Sequence, residues 1–165
     1  MAHSTALSYS CEITHQPERP TLSVRTRAAV QNLPQLFGQT YGALMQYLGE
    51  MGEQPAGEPF AAYYNLDMQD LDVEIGFPVA KPLPNRGNIK SGALPAGQFA
   101  STMHIGPYDT LGGAYEALTQ YVKANGYEPT GVAYEFYFSG PETPLEEIRT
   151  QIVFPLKTPQ SDQFR

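Results

Sequence analysis

Along residues 21–30 side chains alternate: Leu22, Val24, Thr26 and Ala28 fall on one side of an extended chain, Arg25 and Arg27 on the other. Residues 9–15 alternate more loosely and predict a short strand before the turn QPERP. At Asn32 the period changes. Leu33, Leu36, Phe37, Tyr41, Leu44, Met45 and Leu48 recur at spacings of three and four, which predicts an amphipathic helix. Asn32 is placed as its N-cap and Gly52 as its C-cap. Residues 59–66 and 71–79 predict a hairpin around a short acidic turn, and residues 80–96, rich in proline and glycine, predict a linker. The pattern then restarts. Residues 98–105 predict a strand. Residues 108–125 predict a helix with Leu111, Tyr115, Leu118 and Val122 on one stripe. Residues 131–139 and 147–156 predict strands around the turn GPETPL.

The restart is a repeat. A shift of 74 positions brings Gly38 onto Gly112, Tyr41 onto Tyr115, Leu44 onto Leu118, Tyr47 onto Tyr121, Gly52 onto Gly126 and Tyr63 onto Tyr137. With three more residues in the second hairpin turn, GFPV at 76–79 meets VFPL at 153–156. The expectation is an α+β fold: two β-α-β-β units, about residues 20–79 and 97–156, in a single domain spanning 1–165, with one extra N-terminal strand. The two helices cover one face of a curved antiparallel sheet, and the other face forms an open trough between the halves, where ligands favour concave ground.

Composition narrows the function. The chain has 165 residues, 41% of them hydrophobic, enough for a real core. With 10 Lys+Arg against 17 Asp+Glu its formal charge is −7, and no basic run exists, so nucleic-acid binding is not expected. The single cysteine, Cys11, excludes an internal disulfide. The N-terminal MAHSTALSYS lacks the pattern of a secretory signal, and no apolar stretch reaches the roughly 18 residues of a membrane span. A cytoplasmic protein with no membrane association follows. His3, His15 and His104 sit in no ligand-like spacing, so neither metal nor cofactor is expected; His104 reads as structural.

The candidate chemistry lies in GVAYEFYF, 131–138, where one carboxylate stands among aromatics. Strand alternation puts Ala133, Glu135 and Tyr137 on one face and Tyr134, Phe136 and Phe138 on the other. In 71–77 Val73, Ile75 and Phe77 oppose Asp72 and Glu74. If the wholly apolar faces meet the helices, then Glu135, Tyr137, Asp72 and Glu74 lie on the open side. The repeat pairs Glu135 with Ala61, so the acid belongs to one half only. Tyr63, Tyr108 and Glu74 join Glu135 and Tyr137 as candidate ligand-binding residues, with Tyr63 directed to the trough and Tyr64 to the helix.

STMHIGPYDTLGGAYEAL, the strand Tyr134-Glu135-Phe136-Tyr137 and the hairpin PETP…EIRT…FPL together resemble the GyrI-like small-molecule-binding domain over about residues 9–157. This is the effector module of bacterial multidrug-responsive transcription regulators, here in a stand-alone form. The resemblance implies the duplicated trough and places the family's pocket acid on Glu135, where it meets lipophilic, cationic aromatic ligands. Family members commonly carry a tryptophan late in each helix; here Tyr47-Leu48 and Tyr121-Val122 stand instead. Drug sensing or sequestration is the reading that follows. The alternative is hydrolysis of cyclopropane-bearing genotoxins, with Glu135 as acid or base beside Tyr137. Inhibition of DNA gyrase ranks lower, and haem binding last, because no histidine falls on the open face. A protein partner is compatible with any of these, and a monomer or weak dimer is expected.

Overall fold

The computed structural model describes residues 9–140 and 142–157. The chain divides into two compact units: Pro17–Ala96, and the segment from Gly97 onward joined by the chain up to Gln16. Among the described residues, no helix is long and apolar enough to cross a membrane.

The Pro17–Ala96 unit contains β2 (Arg19–Ala28), α1 (Leu33–Glu50), β3 (Phe60–Tyr63), β4 (Leu71–Pro78) and β5 (Lys90–Leu94). Its strands are antiparallel in the order β5-β2-β4-β3. The other unit contains β1 (Cys11–Gln16), β6 (Gly97–Ile105), α2 (Leu111–Ala124), β7 (Ala133–Tyr137) and β8 (Arg149–Pro155). Its antiparallel order, β1-β6-β8-β7, matches the first position for position. The α+β class and the repeated β-α-β-β unit read from the sequence are therefore present.

Two expectations need correction. The segment 80–96 holds a strand: β5 pairs with β2 from Lys90↔Ser23 to Arg19↔Leu94. Arg86 and Ile89 exchange backbone hydrogen bonds at 2.9 and 2.8 Å around Gly87, whose φ of +57° favours glycine, and this turn launches the strand. In β5 only Leu94 is buried, so the strand is held by backbone bonds and leaves no apolar alternation to read. The N-terminal strand, likewise, is no extra. β1 pairs with β6, as β5 pairs with β2, so each repeat begins with an edge strand that completes the sheet of the other repeat's unit.

The helices differ by one turn. Each follows a 3₁₀ turn, Val30–Asn32 or Tyr108–Thr110, and they start at Leu33 and Leu111, an offset of 111 − 33 = 78. They end at Glu50 and Ala124, an offset of 124 − 50 = 74, because α1 has 18 residues and α2 has 14. The 74-residue identity run thus begins inside the helix. Asn32 makes no side-chain cap, and a proline in the first turn starts α1 instead. Gly52 and Gly126, with φ of +70° and +79°, follow the two helix ends as C-terminal glycines do.

Each helix buries an apolar stripe on its own sheet. Leu44, Tyr47 and Leu48 of α1 pack with Leu22, Val24, Phe77 and Val79. Ala114, Leu118 and Val122 of α2 pack with Ala100, Ile152, Phe154 and Leu156. Even the aromatic contacts correspond: Tyr41 meets Phe77 at 5.3 Å between centroids, and Tyr115 meets Phe154 at 5.9 Å.

Two glycines separate close packing from open surface. Gly76 faces Ser23 across β2–β4, and a Cβ there would lie 2.5 Å from the Leu22 carbonyl oxygen. Around Gly38, in α1, there is open space. Gly76→Ala is expected to destabilise by ~1–3 kcal/mol, whereas Gly38→Ala is expected to stabilise by ~0.5–1 kcal/mol. Urea denaturation of both variants measures the opposite signs.

Candidate functional site

β7 is five residues long and its side chains alternate. Ala133 packs into the core that α2 covers. Glu135 and Tyr137 point the same way, so the acid lies on the helix side of the sheet. The contact that fixes it comes from the helix: Tyr115 Oη on α2 donates to Glu135 Oε2 at 2.5 Å. Tyr137 Oη, two residues along β7, donates to Oε1 at 2.8 Å. Glu135 is only 8% exposed. Among the described residues no cation pairs with it, the ion pairs lying elsewhere. Burial pushes its carboxyl above the ordinary glutamate value, and the Tyr115 and Tyr137 hydroxyls draw it part of the way back.

Tyr108 forms the rim. It opens the 3₁₀ turn before α2, is 49% exposed, and sets its ring edge-on to Tyr137 at 6.1 Å. Partial burial raises its phenol above the ordinary value, and the negative charge of Glu135 adds to the effect. The turn is anchored on both sides. Gly106 N donates to Ile148 O at 2.7 Å. Buried His104 lies 2.9 Å from Thr110 Oγ1 through Nε2 and 3.0 Å from Tyr9 Oη through Nδ1.

Glu135, Tyr137 and Tyr108 thus come together, but not on the face away from the helix. The expectation failed because it gave the helix the wholly apolar side of β7. Tyr134 and Phe136 are buried on the opposite side, and a tyrosine from α2 supplies a polar partner on the helix side. The same test on β4 placed the acids correctly: Phe77 is in the α1 core, and Asp72 and Glu74 face the other way.

In the Pro17–Ala96 unit the equivalent frame has no acid. Ala61 lies opposite Ile75 on β4 as Glu135 lies opposite Ile152 on β8, and Tyr63 lies opposite Val73 as Tyr137 lies opposite Thr150. Tyr41, the counterpart of Tyr115, donates to the Phe60 carbonyl at 2.6 Å. Tyr63 therefore shares the helix face of its own unit, and its neighbour Tyr64 turns to the other: the reverse of the expected assignment, because the register puts Tyr63 beside Val73. Tyr64 Oη and Ser23 Oγ each donate to Glu74 at 2.5 Å. The Arg25 guanidinium stacks 3.8 Å from the Tyr64 ring centroid and holds Asp72 through two hydrogen bonds, which keeps the Asp72 carboxyl below its ordinary value. Glu74 belongs to this polar network, on the face of its own unit turned away from α1.

Tyr115 was missed by sequence reasoning as a partner of Glu135. The available signal was chemical: a phenol in an otherwise aliphatic helix stripe needs a hydrogen-bond partner.

A family model for the GyrI-like small molecule binding domain matches residues 9–157. The chain belongs to the GyrI-like family. Among solved structures, EcmrR in its DNA complex aligns with a TM-score of 0.81 and 26% identity, over 96% of this chain and 62% of that one. This chain therefore spans less than two thirds of that EcmrR chain. The EcmrR C-terminal domain alone aligns with a TM-score of 0.71 and 27% identity, over 92% and 99% of the two chains. SAV2435, solved bound to tetraphenylphosphonium, shares the fold with a TM-score of 0.60 at 11% identity, over 90% and 94%. No curated protein matches significantly. In this GyrI-like chain the carboxylate stands among phenols that are themselves its hydrogen-bond donors.

Both hydroxyls stabilise the ionised acid, so removing either raises the midpoint of Glu135 further. Tyr115→Phe is expected to raise it more than Tyr137→Phe, as read by carboxyl-carbon NMR titration. The linkage sign follows from a raised folded value. The stability tied to protonated Glu135 is complete below the ordinary glutamate value of 4.5 and is lost as pH rises through the raised one. Glu135→Gln should therefore gain on the wild type in melting temperature across that interval as pH rises.

Proposed function

We propose that this GyrI-like chain binds lipophilic aromatic cations, with Glu135 as the countercharge and Tyr108, Tyr115 and Tyr137 as the surrounding aromatic surface. The observation that carries the reading is a carboxylate 8% exposed, held by two neutral hydroxyls and by no internal cation among the described residues. A structural buried carboxylate is ordinarily paired, because an unpaired one is costly to desolvate. A cationic ligand supplies that pairing from outside. Each aromatic face adds ~0.5–2 kcal/mol of cation attraction, and the charge-assisted contact strengthens as water leaves. SAV2435 with its bound phosphonium lends support by fold alone, and the likeness to the EcmrR C-terminal domain supports a sensing role.

In the sensing reading, the module reports the ligand to a partner; in the sequestration reading, it removes the compound from solution. A net charge of −7 argues against direct contact of this chain with duplex DNA, and no salt-sensitive mobility shift is expected of it. Hydrolysis is the second reading, favoured by one observation: a carboxyl held above its ordinary value by burial can carry a proton to or from a substrate.

N-methylacridinium and unprotonated acridine have nearly the same shape and differ in charge. Glu135→Gln should cost the cation ~1–3 kcal/mol of binding free energy and the neutral ring much less. Equal losses for both would make Glu135 a residue of shape or folding. Product analysis after incubation with strained electrophiles tests the second reading: turnover that disappears in Glu135→Gln would put hydrolysis first.

A further inference from the structure

Besides Glu135, the two units differ on their helix-facing side at Thr150. Tyr137 lies opposite Thr150 on β8, and in the other unit Tyr63 lies opposite Val73 on β4. Threonine and valine have nearly the same shape, so either packs equally well there; only the hydroxyl differs. Thr150 is 0% exposed, and among the described residues its Oγ1 has no hydrogen-bond partner. A buried hydroxyl left unpaired is unfavourable, and natural cores pair theirs almost without exception. The neighbouring polar groups on this face follow that rule. Thr102 Oγ1 donates to the Ser10 carbonyl at 2.8 Å, His104 is held by Tyr9 and Thr110, and Glu135 is held by its two tyrosines.

Thr150 is also well placed. It shares the helix-facing side with Ile152 and Phe154, and Ile152 is the residue opposite Glu135. Thr150 and Glu135 are thus diagonal neighbours across β7–β8, with Cα positions ~7–8 Å apart. The side chain that stands over Thr150 from the facing strand is Tyr137, whose hydroxyl binds Glu135 and whose ring meets the exposed Tyr108. Reaching the threonine from the rim would mean displacing the Tyr137 ring.

We propose that Thr150 is a specificity-determining ligand contact: its hydroxyl pairs with a hydrogen-bonding group that the bound cation carries beside its charge. This deepens the countercharge reading and rests on it. The site then selects, among flat cations, those with an N–H or carbonyl group a few ångströms from the charged atom. Cations whose charge is wrapped in hydrocarbon use Glu135 alone.

Two probes separate the contributions. Aminoacridinium carries N–H groups; N-methylacridinium has the same ring and charge without them. Titration calorimetry of the full chain with both, for wild type, Thr150→Val and Thr150→Ser, reads the contact. Thr150→Val is expected to weaken aminoacridinium roughly tenfold and N-methylacridinium less than about twofold, while Thr150→Ser keeps both affinities. Unliganded Thr150→Val should melt at the wild-type temperature or above, because it removes an unpaired hydroxyl. Equal losses for the two probes, no loss for either, or a lower melting temperature would each overturn the proposal. Glu135→Gln in the same series tells the two readings apart. If it weakens both probes while Thr150→Val does not discriminate, the countercharge stands and the threonine contact falls. If neither probe binds the wild type, both fall.

Discussion

A carboxylate among phenols cannot be both buried and comfortable. Glu135 is removed from water by α2 above and by β8 alongside, and it has two hydroxyl donors and no cation among the described residues. Two neutral hydrogen bonds compensate only part of the desolvation of a full charge. That imbalance holds the acid above its ordinary titration range and leaves it responsive to any positive charge that reaches it. The placing of Tyr115, Tyr137 and Tyr108 gains its meaning from this one residue.

The fold supplies the imbalance by duplication. Both units place a helix tyrosine, Tyr41 or Tyr115, against a sheet phenylalanine, Phe77 or Phe154. Both place a second tyrosine, Tyr63 or Tyr137, two residues along the same strand face from the variable position. In one unit that position is Ala61, and the helix tyrosine donates to a backbone carbonyl; in the other it is Glu135, and the tyrosine donates to the acid. A frame stable with alanine tolerates the substitution because the apolar contacts around it are shared. The acid stands in one copy of a scaffold whose stability both copies provide.

Much of this was legible in the sequence where apolar periodicity reports burial. The helices, the hairpins and the repeat followed from Leu44, Leu48, Leu118 and Val122 and from the identities 74 residues apart. Strand β5 was not legible, because an exposed edge strand is held by backbone bonds that no side-chain pattern records. The sidedness of β7 was misread for a related reason. Alternation divides a strand into two faces but does not say which one meets a helix, and here the face without a charge is not the one beneath α2. The sequence singled out Glu135 but not its helix partner. Tyr115 reads as one more apolar member of a stripe until its hydroxyl is traced.

The proton carried by Glu135 tests the central claim most directly. If the empty site holds the acid above its ordinary value and a cation restores the ionised form, binding must release protons. The release is largest at pH values between the ordinary and the raised midpoint and vanishes above it. Calorimetric titration of N-methylacridinium in buffers of different ionisation enthalpy measures that release. The account predicts net release by the wild type in that interval and none by Glu135→Gln. Binding with no proton exchange at any pH, or with proton uptake, would contradict it.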